Sequence, residues 1–179
     1  MNRDFMKRRL KEAIIDYFVI LAYLILLFFV NVIIIYTFFD GIPEYSEIQA
    51  QLVATFTSVI PIILIFSYLD FFNKGSFGKK LSGLKLVYSS YRYRFSLLRN
   101  IIKFLPWQLG HLGVIHGMYS NFDSTAVIIA SFGCLLGIIW LLMAFIKKDK
   151  RHPGDVLAGT RVEVLWKSSA KGEVYVKSE

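Results

Sequence analysis

The positions of the basic residues constrain this chain more than any other feature of its sequence. Lysine and arginine total 21 of the 179 residues, yet none lies within residues 12–73 or 104–146. Both stretches contain long apolar runs, and about 20 consecutive apolar residues cross the ~30 Å hydrocarbon core of a bilayer. With 55% hydrophobic and 19% charged residues, the sequence predicts a small integral membrane protein and excludes an ordinary soluble enzyme, a coiled coil or a disordered chain.

Four membrane-spanning helices are predicted. Three of them are plain apolar runs, whereas the third in chain order is short and contains Pro106, Gln108 and His111. We include this polar span because, without it, the basic cluster that follows the last span would lie outside the cell, against the positive-inside rule. A re-entrant segment is its alternative. The four predicted spans cover about residues 13–39, 50–72, 97–119 and 125–146.

The distribution of charge also predicts orientation and location. Basic residues favour cytoplasmic loops, so both termini are expected in the cytoplasm, and the acidic loop around Glu44 is expected outside. We therefore expect a multi-pass protein of the bacterial cytoplasmic (inner) membrane. The net charge of +8 then faces anionic lipid headgroups on the cytoplasmic side, and no nucleic-acid partner is expected.

Outside the membrane, the sequence predicts a small cytoplasmic β-sheet. Residues 83–95 alternate with period two on both sides of Ser89 and Ser90, which is typical of a hairpin. Residues 159–177 show a similar alternation. The predicted fold class is thus an all-α membrane bundle with a small cytoplasmic β-hairpin or sheet, in a single domain over residues 1–179.

Several polar segments at the helix ends carry a resemblance to a known family. Arg9 lies seven residues before Asp16, close to two turns and therefore on the same helix face. Glycine-rich segments at 75–87 and 151–162 follow the second and last spans. Together with Arg99 and Asn100, these segments resemble the RDD family of bacterial membrane proteins over roughly residues 5–164. That family is named for one arginine and two aspartates, which the resemblance assigns to Arg9, Asp16 and Asp155.

The resemblance implies a transport-related protein, since some members of that family look like sodium–proton antiporters. Asp16 is then the candidate ion or proton site, within an expected polar cluster of Arg9, Asp16 and Asp155 at the cytoplasmic end of the bundle. A purely structural ion pair with Arg9, Arg99 or Lys103 is the alternative for Asp16. The alternative function is a non-transporting accessory protein that binds anionic lipid or scaffolds a partner. One departure from the family pattern is Gly154, where many members have histidine.

Five further polar residues are secondary candidates: Asp70, Lys79, Arg99, Asn100 and Thr57. Asp70 lies at a helix C-terminus, where a carboxylate opposes the helix dipole, so we expect a surface ion pair with a nearby lysine. Pro61 frees the carbonyl group of Thr57 from its helical hydrogen bond, which leaves either a backbone ligand or an ordinary kink. Lys79 follows glycines, but their spacing and helical context do not match a phosphate-binding loop.

Two pairs of glycines predict close helix packing. Gly113 and Gly117 in the third span, like Gly133 and Gly137 in the fourth, have the spacing of small-residue interfaces. We expect these two helices to pack on one another, with a homo-oligomer as the alternative. The sequence predicts no enzymatic activity, no cofactor and no metal site, because it holds one cysteine and no catalytic constellation.

Overall fold

The structure is a computed structural model that describes residues 3–39, 41, 43–147 and 149–165. In that part of the chain the helices are α1 (Arg3–Phe38), α2 (Glu47–Phe72), α3 (Phe77–Leu81), α4 (Tyr93–Ser120), α5 (Ser124–Ile146) and α6 (Pro153–Leu157). The strands are β1 (Leu84–Tyr88) and β2 (Thr160–Val164). The strand predicted near the C-terminus, at 173–177, lies outside the described residues.

Three helices are long and apolar enough to cross a membrane, namely α1, α2 and α5. Each corresponds to one of the apolar runs in the sequence, and together they make the chain a multi-pass membrane protein. Helix α2 contains one π-helical turn, Thr55–Val59, which ends two residues before Pro61. A π turn at this point accommodates the missing proline N–H without ending the helix.

Helix α4 corresponds to the polar third span and runs antiparallel to α2 along its length. At one end the side-chain amide of Gln51 donates to the carbonyl oxygen of Leu112 at 3.0 Å. At the other end the hydroxyl of Ser96 donates to the carbonyl oxygen of Ser67 at 2.8 Å. Its 28 residues extend for about 42 Å at 1.5 Å per residue, so α4 is longer than the apolar helices α2 and α5, which have 26 and 23 residues.

The predicted hairpin at 83–95 is wrong in its second half. Strand β1 pairs antiparallel with β2, with Leu86 opposite Val162, and residue 93 already begins α4. The ring of Tyr91 stacks on Phe71 at 4.4 Å, and its hydroxyl donates to the carbonyl oxygen of Phe71 at 2.8 Å. The alternating aromatic residues therefore hold the start of α4 against the end of α2 and do not form a strand.

The four predicted packing glycines have different surroundings. A Cβ atom on Gly133 would lie 2.8 Å from the amide nitrogen of Gly110, so α4 and α5 approach closely there. Gly113 faces the backbone of α5 in the same way, at Ala130. The other two differ: Gly117 faces the Phe122 ring in the α4–α5 turn, and a Cβ on Gly137 would be 3.5 Å from its nearest neighbour. Close packing therefore involves two of the four glycines.

Candidate functional site

A buried network of charged side chains lies at the end of the bundle that carries the N-terminus of α1 and the small sheet. Its centre is Arg99 on α4, which is 1% exposed. The guanidinium Nη1 binds Asp70 Oδ2 on α2 at 2.5 Å, and Nε binds Asp155 Oδ1 on α6 at 2.7 Å. One arginine thus joins three helices, which is tolerable in a low-dielectric interior only because each charge has a partner.

Asp70 is fully buried, so the expected surface ion pair at this residue is wrong. Lys79 Nζ lies 3.2 Å from Asp70 Oδ1, and the side-chain amide of Asn100 donates to Oδ2 at 3.2 Å. The chain after α2 folds back as α3 and packs against α1, and this covers the carboxylate. Asp70 therefore sits inside the network together with two other secondary candidates, Lys79 and Asn100.

Lys79 connects Asp70 to a second carboxylate. Its ammonium lies 3.2 Å from Glu12 on α1, and its side chain is completely buried. Burial alone would lower the pKa of Lys79, but the carboxylates of Asp70 and Glu12 outweigh it and raise the pKa above its usual value. The lysine is thus held in its charged form as a link between α1, α2 and α3.

Asp155 occupies the first turn of α6, where it accepts hydrogen bonds from the hydroxyl of Thr160 at 3.0 Å and from the backbone N–H of His152 at 3.3 Å. Burial would raise the pKa of this carboxyl group, but the guanidinium of Arg99 dominates and holds the pKa well below its usual range. The imidazole of His152 lies 3.3 Å from the same carboxylate. A histidine therefore stands beside Asp155 although Gly154 replaces the histidine of many family members.

His152 itself is 8% exposed. Burial lowers its pKa to about 3, although the Asp155 carboxylate opposes this shift. Arg99 adds to the lowering, because a second positive charge beside a guanidinium is unfavourable. The imidazole is therefore neutral at physiological pH.

Arg9, Asp16 and Asp155 lie at the same end of the bundle, but not in direct contact as predicted. Arg9 Nη1 binds Glu12 Oε2 at 2.8 Å. Asp16 instead accepts hydrogen bonds from the hydroxyl of Ser76 at 2.7 Å and from the backbone N–H of Gly78 at 2.9 Å. The partners of Asp16 therefore come from the chain after α2, whereas the prediction had assigned that role to Arg9.

Three contributing residues were missed as site residues by sequence reasoning: Glu12, Ser76 and His152. Glu12 had a signal, because it lies three residues after Arg9 and four before Asp16 and so shares their helix face. Lys103 was one of three possible ion-pair partners of Asp16. The structure places its Nζ 4.0 Å from Asp16 Oδ2 and 4.6 Å from the centre of the Phe66 ring.

A cavity of about 340 Å³ opens beside this network, between α1, α4 and α5. Arg9, Glu12, Asp16, Arg99, Lys103 and His152 line its polar end. Its apolar end is lined by Ile20, Trp107, Trp140, Leu141 and Phe145. Asp16 and Lys103 are thus accessible from this space, and Asp70 and Asp155 lie behind its wall.

Thr57 lies apart from the charged network, in the π-helical turn of α2. Its hydroxyl donates to the carbonyl oxygen of Val53 at 2.7 Å, within the same helix. Its carbonyl group, which Pro61 leaves without a helical donor, accepts a hydrogen bond from the hydroxyl of Tyr23 on α1 at 2.6 Å. The freed carbonyl group therefore holds α1 against α2.

The charges of the network balance. Four cations, Arg9, Lys79, Arg99 and Lys103, face four carboxylates, Glu12, Asp16, Asp70 and Asp155. Most of these pairs are separated by 2.5–3.2 Å, whereas the Lys103–Asp16 pair is separated by 4.0 Å. The loosest pair of the network is therefore one that lines the cavity.

Comparison with known proteins identifies a family for this chain. No curated protein and no solved structure matches the chain. The family model described as the RDD family matches residues 4–159. This range contains the described helices except the first residue of α1, both aspartates assigned by the resemblance, and all eight charged residues of the network. The chain belongs to the RDD family.

Proposed function

We propose that this membrane protein exchanges a monovalent cation for a proton, with Asp16 as the cation site and Lys103 as the group that releases the proton. The observation that carries the proposal is the 4.0 Å separation of Lys103 Nζ from Asp16 Oδ2 at the wall of the cavity. A loosely paired carboxylate that a dissolved ion can reach is the member of the network best suited to exchange partners.

The exchange keeps the charge of the site constant. A cation that enters the cavity binds the Asp16 carboxylate, whose two oxygens are oriented by the Ser76 hydroxyl and the Gly78 N–H. The ammonium of Lys103 is then no longer needed as a counter-ion, and it loses its proton to water in the cavity. Release of the cation reverses both steps, because an unpaired carboxylate in this environment favours protonation of the neighbouring lysine.

The proposal includes four membrane spans with both termini in the cytoplasm. Its support is that α4 runs beside α2, an apolar helix, over the whole of its length. A reporter fused after residue 179 is expected in the cytoplasm, and one inserted near Glu44 is expected outside. A reporter that placed the C-terminus outside would remove α4 from the set of spanning helices.

Four spans provide few walls for a gated pathway, so we propose that the active form is a homo-oligomer. The buried residues of α1 are Arg9, Glu12 and Asp16. Many of its apolar residues, such as Phe18, Phe28 and Ile33, are exposed and open to lipid or to a second copy. The mass of the purified protein in detergent, measured by light scattering, tests this point. A monomer with full exchange activity would contradict it.

The decisive experiment for the proposed function is exchange in proteoliposomes. Vesicles with an internal pH dye receive a pulse of external Na⁺, K⁺ or Li⁺, and the internal pH is followed. We expect a cation-dependent pH change in wild type, at least a tenfold loss in Asp16→Asn, and little change in Glu163→Gln, which neutralises a carboxylate of the small sheet outside the cavity. Equal rates for wild type and Asp16→Asn would contradict the proposal.

A second function has one specific observation in its favour. The exposed residues Lys7, Arg8 and Lys11 form a basic surface on the first turns of α1, at the same end as the charged network. Such a surface attracts anionic headgroups by about 1 kcal/mol per residue, as an accessory lipid-binding protein would need. Wild-type protein without exchange activity, but with thermal stability raised by phosphatidylglycerol over phosphatidylcholine, would favour this alternative.

A further inference from the structure

We propose that the interface between α2 and α4 is a hydrated proton-entry path. It leads from the end of the bundle opposite the charged network to an apolar barrier of Ile62, Phe66 and Phe104. This inference rests on the proposed exchange function, for which it names the route by which protons arrive from the far side.

The path begins with a row of polar side chains that face one another across the two helices. Gln51 on α2 donates to the carbonyl oxygen of Leu112 on α4 at 3.0 Å. One turn further along α2, the hydroxyl oxygen of Thr55 accepts a hydrogen bond from the side-chain amide of Gln108 at 2.9 Å. Thr55 is also the first residue of the π-helical turn, a feature frequent at functional sites.

Three buried atoms along this row have no hydrogen-bond partner within the part of the chain that the structure describes. They are Gln51 Oε1, Gln108 Oε1 and His111 Nδ1. A buried polar atom left unpaired costs about 1–3 kcal/mol, and hydrocarbon cannot supply a donor. Three such atoms on neighbouring turns of one helix interface therefore indicate a file of water molecules, each held by amide, hydroxyl or imidazole groups.

Ionisable groups surround the entrance to this row. His116 Nδ1 lies 2.8 Å from Glu47 Oε1, and its Nε2 lies 3.6 Å from Asp123 Oδ1. Glu47 is one helical turn before Gln51, so the carboxylates stand at the mouth of the path. Two acidic groups with an imidazole between them attract protons from the adjoining solution and transfer them on.

The other end of the row meets the apolar barrier. Phe66 and Phe104 are in edge-to-face contact at 5.4 Å between ring centres, and Ile62 is 2% exposed beside them. Phe104 is one turn from Gln108, the last polar residue of the row. On the far side of the same rings lies the ammonium of Lys103, 4.6 Å from the Phe66 ring centre.

This arrangement separates two polar compartments by the five residues from Lys103 to Gln108, or roughly 7.5 Å along α4. A change in the rotamer of Phe104 would bring Lys103 into contact with the file of water.

The path suits a proton better than a metal cation. None of the residues Gln51, Thr55, Gln108 and His111 is a carboxylate, so a dehydrated cation there would have no anionic ligand, whereas a relayed proton needs only hydrogen-bond acceptors.

The test is the accessibility of single cysteines to water. In a Cys134→Ser background, Gln108→Cys and Thr55→Cys are each treated in vesicles with a small uncharged thiol reagent that reacts with hydrated thiolates and only slowly with thiols in hydrocarbon. The matched controls are Leu105→Cys, on the exposed face of α4, and Phe104→Cys in the barrier. We expect labelling of the two path cysteines at least tenfold faster than that of either control.

The proposal would be overturned if neither path cysteine were labelled faster than Leu105→Cys. Two path variants are used so that the test still stands if one of them fails to fold. A functional variant gives the complementary result: Phe104→Ala is expected to leak protons without added cation, and an unchanged proton permeability would count against the barrier. These outcomes are distinct from those of the exchange assay. Labelled cysteines in a protein without exchange would contradict the proposed function alone, and exchange with unlabelled cysteines would contradict the path alone.

Discussion

Arg99 and Asp155 form a buried ion pair, with Nε 2.7 Å from Oδ1, that ties the interior of α4 to the segment that follows α5. The same guanidinium binds Asp70, and Lys79 links Asp70 to Glu12, so two buried cations join the helices at the charged end of the bundle. The Lys103–Asp16 pair, at 4.0 Å, is more widely separated than these pairs. The network thus combines close ion pairs that support the fold with one wider pair at the cavity.

Loss of one partner of the Arg99–Asp155 pair should destabilise the protein strongly. Asp155→Asn leaves a buried guanidinium with one fewer counter-ion, and breaking a buried pair costs about 3–5 kcal/mol. We expect a clearly lower midpoint of thermal unfolding in detergent. Glu163→Gln, in a more exposed pair with Arg161, serves as control, and an equal effect of the two substitutions would contradict this assignment.

The partner of Arg9 can be identified by double-mutant cycles. The structure pairs Arg9 with Glu12 at 2.8 Å, so the effects of Arg9→Gln and Glu12→Gln on stability should be non-additive by about 1 kcal/mol or more. The effects of Arg9→Gln and Asp16→Asn should be closer to additive. A larger coupling energy for the second cycle would show that Arg9 serves Asp16 directly.

Two glycines of α5 provide a matched test of helix packing. A Cβ atom on Gly133 would meet the backbone of α4 at 2.8–2.9 Å, whereas one on Gly137 would make an ordinary contact at 3.5 Å. Gly133→Ala should therefore cost about 1–3 kcal/mol, as overpacking does, and Gly137→Ala should cost little. Unfolding in detergent would show the difference, and equal midpoints would place the closest approach of the helices elsewhere.

His152 should make the protein sensitive to acid. Its pKa is lowered to about 3 by burial, against the Asp155 carboxylate, so between pH 6.5 and 3 the unfolded chain binds a proton that the folded chain does not. Stability then falls as the pH falls through this window, by at most ~1.4 kcal/mol per unit. The carboxyl group of Asp155 also has a lowered pKa, but it contributes only near and below pH 4.

The measurement is thermal stability between pH 7 and 5 for wild type and His152→Asn. We expect wild type to lose stability over this range and the variant to show a shallower dependence, whatever its absolute stability. Parallel curves would mean that His152 does not titrate differently in the folded and unfolded states.

The fold was largely predictable from the sequence because its helices are specified by local composition. The apolar runs at 50–72 and 125–146 became α2 and α5 within a few residues, and Gln108 did not prevent α4 from forming. The alternation around Tyr91 wrongly predicted a strand, because the aromatic residue there contacts Phe71, which is distant in sequence. The periodicity of a sequence indicates which residues share one face of a helix or strand. It does not indicate which other element packs against that face.

The site was less predictable for the same reason. Arg9, Asp16 and Asp155 do lie at one end of the bundle, but their partners come from a segment whose path no local pattern reveals. Asp70 was expected at the surface because α3 had not been placed over it. Lys103 was one of three possible partners of Asp16, and sequence alone does not show which of the three lies beside that carboxylate, nor that the Phe66 ring packs against the lysine.

The most direct test of cation–proton exchange at Asp16 and Lys103 is the release of protons on cation binding. Purified protein in weakly buffered detergent solution is titrated with Na⁺, K⁺ or Li⁺ while a pH dye is recorded, with choline as the inert control. The account predicts saturable release of up to about one proton per chain in wild type, from the step that frees Lys103 of its proton, and none in Asp16→Asn. Undiminished release in Asp16→Asn, or none in wild type with any of the three cations, would contradict it.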